Sequence, residues 1–595
     1  MASIEERPKA PPIVPVEKTM LSWDGVELFY RAWLPEQKAD RAVILFHRGH
    51  EHSGRLADVV AGLHLDDVAA FAWDARGHGR SPGERGYAPS FGCMVRDVDC
   101  FVRHVSQTYG IPYGNIVVVA HSVGAVTVAT WVHDYAPPIR ALALATPALR
   151  VKLYVPLAIP ALRLMQWFKR GKKSFITSYV KAKMLTHDAE QAARYDGDPL
   201  IAKTIAVNIL LGLHDAATRL IDDAGAIRVP TLLLAGNADW VVKLSAEDRF
   251  FDRLGSPAKR MRVFNGMYHD ILHEKDRELV WEELRRFIRE AFERPASLPS
   301  LLSADEHGFT YREYEQLGRQ LPWLSPRRWY WALSRLVLNT GGRLSRGIRI
   351  GWQTGFDSGK SLDHIYENRA QGWLGIGRLI DWFYLNGPGW TGIRQRKIHL
   401  QRLLKQAIGR VRESGEPVRI LDVATGCGRY VLDTLAELRG QPISALLRDW
   451  TPANLQLGKQ IAARLGLTNV TFEPGDAFDR RSLANVQPAP NVAIVSGLYE
   501  LFPSNTQVLE SLRGIADAMQ PGGYLIYTGQ PWHPQIELIA RVLPNRDGQP
   551  WVMRRRTQEE LDQIVAAAGF EKIAMEIDEM GIFTVSLARR VGHLT

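Results

Sequence analysis

Short apolar runs alternate with amphipathic stretches along the first half of the chain. Each run is rich in β-branched or other apolar residues and is bounded by turn residues. Such runs, separated by helical patterns, predict a parallel sheet with helices on both faces. The predicted strands are AVILF (42–46), VAAFAW (68–73), IVVVAH (116–121), ALALA (141–145), TLLLAG (231–236) and RMRVF (260–264).

A second series of apolar runs begins near residue 418 and predicts another doubly wound α/β domain. Its strands are VRILDV, ISALL, VTF, VAIVSG, YLIYTG and IFTVSL. Between the two series, Pro and Ser interrupt the periodicity around 292–306, and a basic segment with seven of the 17 Trp follows. We therefore predict an N-terminal tail (1–20), a first domain (21–295) with a lid (148–228), a linker (296–306), a helical basic and aromatic extension (307–405) and a second domain (406–595).

The length agrees with two domains, because one core rarely grows beyond roughly 250–300 residues and the chain has 595. An apolar fraction of 46% is typical of a folded protein and argues against a disordered or fibrous one. Three cysteines do not suffice for a disulfide framework, which favours a reducing compartment. The start has acidic residues and prolines where a secretory signal needs a basic end and an apolar run. We expect a cytoplasmic protein.

The net charge of +10 arises from two segments of the chain. Residues 151–185 hold eight Lys or Arg and no acidic residue, and residues 301–400 hold fourteen basic and eight acidic residues. Such clusters favour anionic partners, namely a phospholipid surface, a phosphate head group or a nucleic acid. A solvated face explains either segment equally well.

A serine at a strand-to-helix turn is the first candidate for catalysis. IVVVAHSVGAVTVATWV (116–132) predicts a strand, a tight turn and a helix, with Ser122 at the apex. A strained elbow of this kind exposes a nucleophile, and the small Ala120 and Gly124 let the strand and helix backbones approach each other.

The serine needs a base, and the base needs an orienting acid. Asp239 lies on the loop after TLLLAG, and His269 follows the next predicted strand, which reproduces the order Ser, Asp, His of α/β-hydrolases. Asp270 and His273 are rivals that we interpret as scaffold, because His269 is nearer to the strand end. The predicted triad is Ser122, Asp239 and His269.

Two further segments resemble one enzyme family. HRGHEHS (47–53) is similar to the HG-x-GEHS loop of monoacylglycerol lipases and bacterial lysophospholipases, and DARGHGRSPGERGY (74–87) to their D-x-x-GHG-x-S-x-G segment. The resemblance covers about residues 20–292. It implies an α/β-hydrolase fold with a helical lid, a serine esterase that hydrolyses acyl lipids, and oxyanion donors at Gly49 and Val123.

The first of these segments departs from the family at two positions. Arg48 and His50 stand where the family carries glycines, and we expect their side chains to narrow the pocket or to meet a charged head group. The segment also contains three histidines and Glu51, but their spacing matches no usual zinc pattern. We therefore expect no metal site.

The lid sequence LYVPLAIPALRLMQWFKRGKKSF (153–175) combines apolar residues with a basic end. We interpret it as a lipid-entry surface whose apolar side chains enter the membrane interface while Lys and Arg meet anionic lipid. A lid that only packs on the first domain is the alternative. The interpretation predicts peripheral contact with an anionic membrane at its inner face.

The second domain opens with a Gly-rich turn. VRILDVATGCGRYVLDTL (418–435) contains D-V-A-T-G-C-G, which resembles the first motif of class I methyltransferases that use S-adenosylmethionine. The glycines let the backbone approach a ligand closely, and the Asp at the strand end suits its charged amine. The resemblance implies ribose and adenine contacts by the acids after the next two strands. The predicted cofactor-binding residues are Asp422, Thr425, Gly426, Gly428, Asp449, Trp450, Asp476 and Ala477.

An NAD-binding Rossmann domain is the rival, but G-C-G-R-Y-V lacks the third glycine of G-x-G-x-x-G. The preceding segment (355–397) resembles the N-terminal extension of bacterial methyltransferases often fused to α/β-hydrolases. We expect this extension to cover the donor site, and we predict Tyr366, Arg394 and Arg396 for the acceptor pocket. Ordinary positions in a helical cap remain the alternative for these three residues.

The leading hypothesis is a bifunctional enzyme, a serine esterase for acyl lipids joined to an S-adenosylmethionine-dependent methyltransferase. One alternative is a membrane-recruited methyltransferase whose hydrolase fold only binds. Another is a nucleic-acid methyltransferase that uses the extension for stacking and phosphate contact. The segment VSGLYELF lacks the N-P-P-Y pattern of base-amine methylation, so we expect no nucleic-acid partner.

Overall fold

The structure is a computed structural model that describes residues 14–169, 172–295 and 298–592. The chain divides into two compact units between Pro299 and Ser300. In the described parts of the chain, no helix combines the length and the apolar character that crossing a membrane requires.

The first unit alternates strands and helices. Its strands are β1 (Val16–Leu21), β2 (Glu27–Trp33), β3 (Ala42–Phe46), β4 (Ala69–Trp73), β5 (Ile116–His121), β6 (Ala141–Ala145), β7 (Phe175–Thr177), β8 (Thr204–Ala206), β9 (Thr231–Gly236) and β10 (Lys259–Phe264). Its helices are α1 (Ala57–Leu63), α2 (Phe91–Tyr109), α3 (Ser122–Tyr135), α4 (Ala158–Phe168), α5 (Ala189–Gly197), α6 (Val207–Asp223), α7 (Leu244–Arg253) and α8 (Arg277–Glu293).

Eight of these strands form one sheet in the order β1-β2-β4-β3-β5-β6-β9-β10. The strands from β4 onward in that order pair in parallel. Their apolar sequences are buried because helices cover both faces, except in the edge strand β10, where only Phe264 is buried. The six predicted strands are all present to within one residue, and the doubly wound α/β fold is confirmed.

An antiparallel edge was not predicted. β1 pairs with β2 from Val16 to Leu21, so residues 16–20 belong to the sheet and not to the predicted tail. Five of its six side chains are exposed and only Met20 is buried, which leaves little apolar signal in the sequence. Residues 1–13 of the predicted tail lie outside the described residues.

The second unit begins with helices and continues as a sheet. Its helices are α9 (Ala304–His307), α10 (Phe309–Gly318), α11 (Pro326–Asn339), α12 (Arg346–Thr354), α13 (Gly359–Glu367), α14 (Ile376–Leu385), α15 (Pro388–Glu413), α16 (Arg429–Glu437), α17 (Pro452–Arg464), α18 (Arg480–Ala484), α19 (Asn505–Ala518), α20 (Ile536–Val542) and α21 (Gln558–Ala567). Its strands are β11 (Val418–Val423), β12 (Ile443–Asp449), β13 (Val470–Pro474), β14 (Val492–Val495), β15 (Tyr524–Gly529), β16 (Phe570–Ile577) and β17 (Thr584–Arg590).

The seven strands are ordered β13-β12-β11-β14-β15-β17-β16, with β17 antiparallel to both neighbours. The chain order reverses between β11 and β14, and ligands of open α/β sheets bind at such a switch point. Two predicted boundaries differ from the structure: α9 starts inside the predicted linker, and α15 runs through residue 405 into the second α/β domain. Residues 296 and 297 of that linker lie outside the described residues.

Candidate active sites

Ser122 lies at the elbow between β5 and α3. Its φ of 53° is left-handed, which is costly for a residue with a side chain and is typical of a strained functional position. Gly124 is required at this turn, because an added Cβ would lie 2.3 Å from the carbonyl oxygen of His47. The close approach of β3 and α3 therefore dictates the small residue that the sequence pattern indicated.

The three predicted triad residues meet at the carboxyl end of the sheet. His269 Nε2 lies 2.7 Å from Ser122 Oγ, and His269 Nδ1 lies 2.7 Å from Asp239 Oδ2. The other Asp239 oxygen accepts the backbone N–H groups of Val241 and Val242 at 2.6 and 2.9 Å. Since a carboxylate only accepts, His269 donates from Nδ1 and leaves Nε2 to accept the serine proton.

Asp239 is buried, and burial alone would raise its pKa. The facing His269 and the two backbone N–H donors more than offset this effect, so the pKa lies below its ordinary value. The carboxylate therefore stays ionised at neutral pH and holds His269 in the tautomer that the serine needs.

The predicted oxyanion donors are neighbours in the structure. A Cβ on Gly49 would lie 2.9 Å from Val123 Cγ2, so Gly49 packs closely against the side chain of the residue that follows Ser122. Val123 is in the first turn of α3, where N–H groups lack an acceptor within the helix. Both residues line a narrow cavity together with His50 and Met94.

Arg48 and His50 both line the cavity, as expected for side chains that narrow it. The Arg48 side chain is buried in ion pairs, with Nη2 2.9 Å from Glu51 Oε1 and Nε 3.5 Å from Asp270 Oδ2. Its guanidinium also lies over the Tyr195 ring at 4.7 Å. Burial lowers the pKa of His50 to about 4, so its imidazole is neutral there.

The rivals of the triad belong to the same buried network. His273 Nδ1 lies 2.8 Å from Asp270 Oδ1, and His273 Nε2 lies 2.8 Å from the carbonyl oxygen of Arg55. Neither residue approaches Ser122, so both serve to fix the loop that follows β10. In the described residues no cluster of three or more His, Cys, Asp or Glu is arranged to hold a metal ion.

The buried network gives a stability prediction. Arg48→Met removes the cation that Glu51 and Asp270 share and leaves only Arg55 and His273 to balance the two buried carboxylates, which we expect to lower the free energy of unfolding by about 3–5 kcal/mol. Urea unfolding of the full chain, followed by limited proteolysis that detects the unfolded first unit, measures the change in the free energy of unfolding. Arg163→Met is the matched control, because its pair with Asp215 is exposed and is worth about 1 kcal/mol or less. Equal effects of the two substitutions would show that the network does not stabilise the unit.

The lid presents an apolar helix to solvent. No side chain of α4 is buried, and Leu157 beside it, Trp167 and Phe168 are 78%, 68% and 68% exposed. Lys169 and Lys172 flank the helix end and are exposed, whereas Lys173 pairs with Glu84 at 3.0 Å. Arg170, also part of the predicted basic end, lies outside the described residues.

In the second unit, a loop with left-handed backbone connects β11 to α16. Ala424, Gly426 and Gly428 have φ values of 55°, 60° and 69°. A Cβ on Gly428 would lie 2.3 Å from Leu447 Cδ2, so packing against β12 requires this glycine. Gly426 faces open space, which leaves room for a ligand above the loop.

Two aspartates hold this loop. Asp449 Oδ2 accepts the Gly426 N–H at 2.8 Å, and Asp449 Oδ1 accepts the Thr451 N–H at 2.8 Å. Asp422 lies beneath the loop, where Thr425 Oγ1 and Tyr430 Oη donate to its two oxygens at 2.5 and 2.7 Å. Burial raises the pKa of Asp422 to about 7, with a further increase from the nearby Asp449.

The remaining predicted cofactor residues follow the neighbouring strands. Trp450, directly after β12, is 76% exposed, and Asp476, after β13, is also exposed and accepts the Phe478 N–H at 2.9 Å. Ala477 is buried. Because β11, β12 and β13 are adjacent and parallel, these residues share one edge of the sheet with Gly426.

The three residues predicted for the acceptor pocket are not brought together. Arg396 is buried, lies 3.5 Å from Glu500 and lines an apolar cavity. Tyr366 lies close to Arg396. Burial raises the pKa of the Tyr366 phenol, and the charge of Arg396 opposes that shift. Arg394 instead donates to the carbonyl oxygen of Leu385 at the end of α14.

The polar residues that share this cavity with Arg396 were not predicted from the sequence. Glu500 follows β14, and Gln530 and His533 follow β15. No motif marks them. Their position just after the carboxyl ends of two parallel strands is the signal by which they could be found.

Comparison with known proteins covers both units. A family profile described as "Putative methyltransferase" matches residues 284–590, which is more than half of the chain. The Escherichia coli (strain K12) protein YnbC is 49% identical over 583 residues, covering 97% of this chain and 99% of YnbC. This chain belongs to the YnbC family. A second profile, described as "Serine aminopeptidase, S33", matches residues 37–276.

The first unit of this YnbC-family chain is also similar to lipases. The monoacylglycerol lipase of Mycolicibacterium smegmatis is 26% identical over 271 residues, which are 44% of this chain and 93% of the lipase. Human monoglyceride lipase is 28% identical over 280 residues, 45% of this chain and 89% of the lipase. The chain is thus a monoacylglycerol-lipase-like hydrolase domain fused to a methyltransferase-family domain, which confirms both resemblances.

Proposed function

We propose that this chain is a bifunctional lipid-modifying enzyme. Its first unit is a serine esterase of the monoacylglycerol lipase or lysophospholipase type, and its second unit is a methyltransferase that uses S-adenosylmethionine. The observation that carries the proposal is the continuous chain of 2.7 Å contacts from Ser122 through His269 to Asp239. A hydrolase fold that only binds has no need of this geometry.

In the esterase, Ser122 Oγ attacks the ester carbonyl while His269 Nε2 takes its proton. The N–H groups of Gly49 and Val123 stabilise the oxyanion, and His269 then donates the proton to the departing alcohol. A water molecule, activated by the same imidazole, releases the acid from the acyl-enzyme. Asp239 stays ionised throughout and stabilises the imidazolium form of His269.

In the methyltransferase, the open space above Gly426 fits a ligand that approaches the backbone closely. Asp449 would hold the ribose hydroxyls, Trp450 and Asp476 would border the adenine, and Asp422 would face the charged amine from beneath the loop. When bound, S-adenosylmethionine supplies an electrophilic methyl group. The chain's own residues bind and orient the donor at the end of β11.

The raised pKa of Asp422 predicts a pH-dependent affinity for the donor. Its pKa of about 7 means that the carboxyl is mostly protonated at pH 6, and a positively charged amine binds the ionised form better. We expect the affinity for S-adenosylmethionine to rise roughly tenfold from pH 6 to pH 7.5 and then to level off. Calorimetric titration measures this, and Asp422→Asn should bind weakly with no pH dependence. A wild-type affinity that is constant over this range would contradict the assignment.

The lid should bring the protein to anionic lipid. Each basic residue near a charged surface contributes about 1 kcal/mol to the free energy of membrane binding. Lys169→Ala with Lys172→Ala should therefore weaken vesicle binding about thirtyfold. Flotation with phosphatidylserine-containing vesicles measures the loss. Lys243→Ala with Lys275→Ala is the matched control, since both lysines are exposed outside the lid. Equal binding to neutral and anionic vesicles would refute the electrostatic contribution.

Lipid mass spectrometry tests the combined proposal without choosing a substrate in advance. Extracts of cells with and without the protein should differ in an acyl ester and in a species that is one methyl group heavier. In cells carrying Ser122→Ala, the difference in the acyl ester should disappear, whereas the species that is one methyl group heavier should remain. Identical lipid profiles in all three strains would contradict a role in lipid modification.

A further inference from the structure

An apolar cavity of about 250 Å³ lies in the second unit, between the helical extension and the carboxyl ends of β14 and β15. Leu338 and Ile348 line it from the extension, and Ile539 and Leu543 line it from α20 and the residue after it. Ligand sites are typically about 300–1,000 Å³ and mostly apolar. The cavity therefore holds the head and the first part of a chain rather than a whole lipid.

One end of this cavity is polar and lies next to the loop proposed to bind the donor. Gly497 and Glu500 follow β14, and β14 pairs with β11 up to Val495 opposite Val423. The polar end is thus beside the loop that contains Gly426. A reacting group at this end would be close to a methyl group presented from that loop.

Several buried polar atoms at the cavity have no hydrogen-bond partner among the described residues. They are Glu500 Oε2, Asp357 Oδ1, Arg396 Nε, Gln530 Nε2 and Trp551 Nε1. A buried polar group without a partner costs about 1–3 kcal/mol, so such a cluster is rare in a region that is only structural. Two acceptors, Glu500 Oε2 and Asp357 Oδ1, and three donors fit a ligand that carries hydroxyl groups and further acceptor oxygens.

The cavity carries no net charge. Arg396 pairs with Glu500, and Asp357 pairs with Arg546 at 3.0 Å. Burial lowers the pKa of His533 to about 4, so its imidazole is neutral, and its Nδ1 accepts the Gln535 N–H at 3.0 Å. Nε2 then carries the proton and is a further donor. A charged head group would lack a counter-charge here, so the cavity selects a neutral one.

The part of the cavity lined by α14 meets an exposed apolar surface. Phe383 lines the cavity and is 63% exposed, and its neighbours on α14, Leu379 and Trp382, are 57% and 49% exposed. An alkyl chain that leaves the cavity at Phe383 would continue along this surface.

We propose that this cavity is the methyl-acceptor site and that the acceptor is a single-chain lipid with a neutral, hydroxyl-bearing head. The hydroxyl donates to Glu500 Oε2, which would take its proton as the hydroxyl oxygen gains the methyl group and the donor's carbon–sulfur bond breaks to leave a neutral thioether. A second head-group oxygen accepts from Gln530 and His533, and the chain runs towards Phe383. The role as acceptor site rests on the proposed methyltransferase function; the binding of a neutral lipid does not.

Photoaffinity labelling of the full chain tests the site. The probes are a ten-carbon alcohol with a diazirine in its chain, the matched carboxylic acid and the matched amine. After irradiation and peptide mass spectrometry, the alcohol should label peptides that contain Phe383 or Ile539, at least tenfold more than either charged probe does. Labels confined to the first unit, or equal labelling by all three probes, would overturn the proposal.

Two variants separate a binding role from a structural one. Glu500→Gln leaves Arg396 uncompensated, so labelling should shift at least tenfold from the alcohol towards the carboxylic acid. Glu510→Gln is the control, because Glu510 is on α19 and pairs with the exposed Arg480 and Arg513. Ile348→Trp should fill the cavity and abolish labelling while the circular dichroism spectrum stays unchanged. An unchanged probe preference in Glu500→Gln would overturn the proposal.

S-adenosylmethionine titration of the same protein distinguishes this proposal from the proposed function. If the donor binds and the alcohol does not label the cavity, only the acceptor assignment falls. If the alcohol labels as expected and the donor does not bind, the cavity remains a neutral-lipid site and the methyltransferase function falls.

Discussion

Ser122→Ala is expected to abolish ester hydrolysis and labelling by a fluorophosphonate. The alanine lacks the oxygen that forms the acyl-enzyme, and loss of a triad nucleophile lowers kcat by about four to six orders of magnitude. Cleavage of p-nitrophenyl esters and intact mass after labelling measure the two effects. Asp239→Asn should keep the geometry but lower kcat by about 10⁴-fold, because it stabilises the wrong tautomer of His269.

Ser245→Ala is the matched control for this experiment, because Ser245 is exposed on α7 of the same unit. It should label and hydrolyse like the wild type. Persistent labelling of Ser122→Ala would show that another residue is the nucleophile and that the elbow at β5 is only structural.

Asp449→Ala is expected to weaken the binding of S-adenosylmethionine at least tenfold, and Gly426→Val is expected to block it. The Asp449→Ala variant would lose the contact with the ribose and also the hydrogen bond to the Gly426 N–H. Hydrogen bonds to a charged group are worth about 1.5–3 kcal/mol each. The affinity should fall at least tenfold, since 1.4 kcal/mol is a factor of ten. Valine at residue 426 would occupy the open space above the loop and would have to adopt a φ of 60°.

Calorimetric titration measures these affinities, with Asp517→Ala as the control for loss of an acidic residue in the same unit. Asp517 pairs with Arg480 on the surface and should leave donor binding unchanged. Esterase activity should be unaffected in all three variants. Unchanged affinity in Asp449→Ala and Gly426→Val would mean that the loop does not bind the methyl donor.

Local sequence patterns predicted the central strands of both sheets and the position of Ser122. These features depend on apolar runs buried on both faces and on a small residue at Gly124, which short segments of sequence specify. The edge pair β1–β2 was not predicted: the exposed side chains of β1 carry no apolar pattern, and β2, although buried apart from Glu27, has Arg31 within its apolar run. Its position depends on pairing with β4, which is distant in sequence.

Side-chain partners were the least predictable part of the sites. Arg48 lines the cavity as expected, but its buried ion pair with Asp270, more than 200 residues later, was not predicted. Arg394 and Arg396 are two residues apart on α15, and only Arg396 lines the cavity. Glu500, Gln530 and His533 carry no motif, because their chemistry arises only when two strands and the extension meet.

One measurement tests the central claim, that a single chain carries two separate sites, most directly. The full chain is first treated with a fluorophosphonate until its intact mass shows complete modification and is then titrated with S-adenosylmethionine. We predict a single adduct on Ser122 and one equivalent of bound donor, with the affinity of the untreated protein. Two results would contradict the account. One is that no adduct forms, and the other is that neither the modified nor the untreated protein binds the donor.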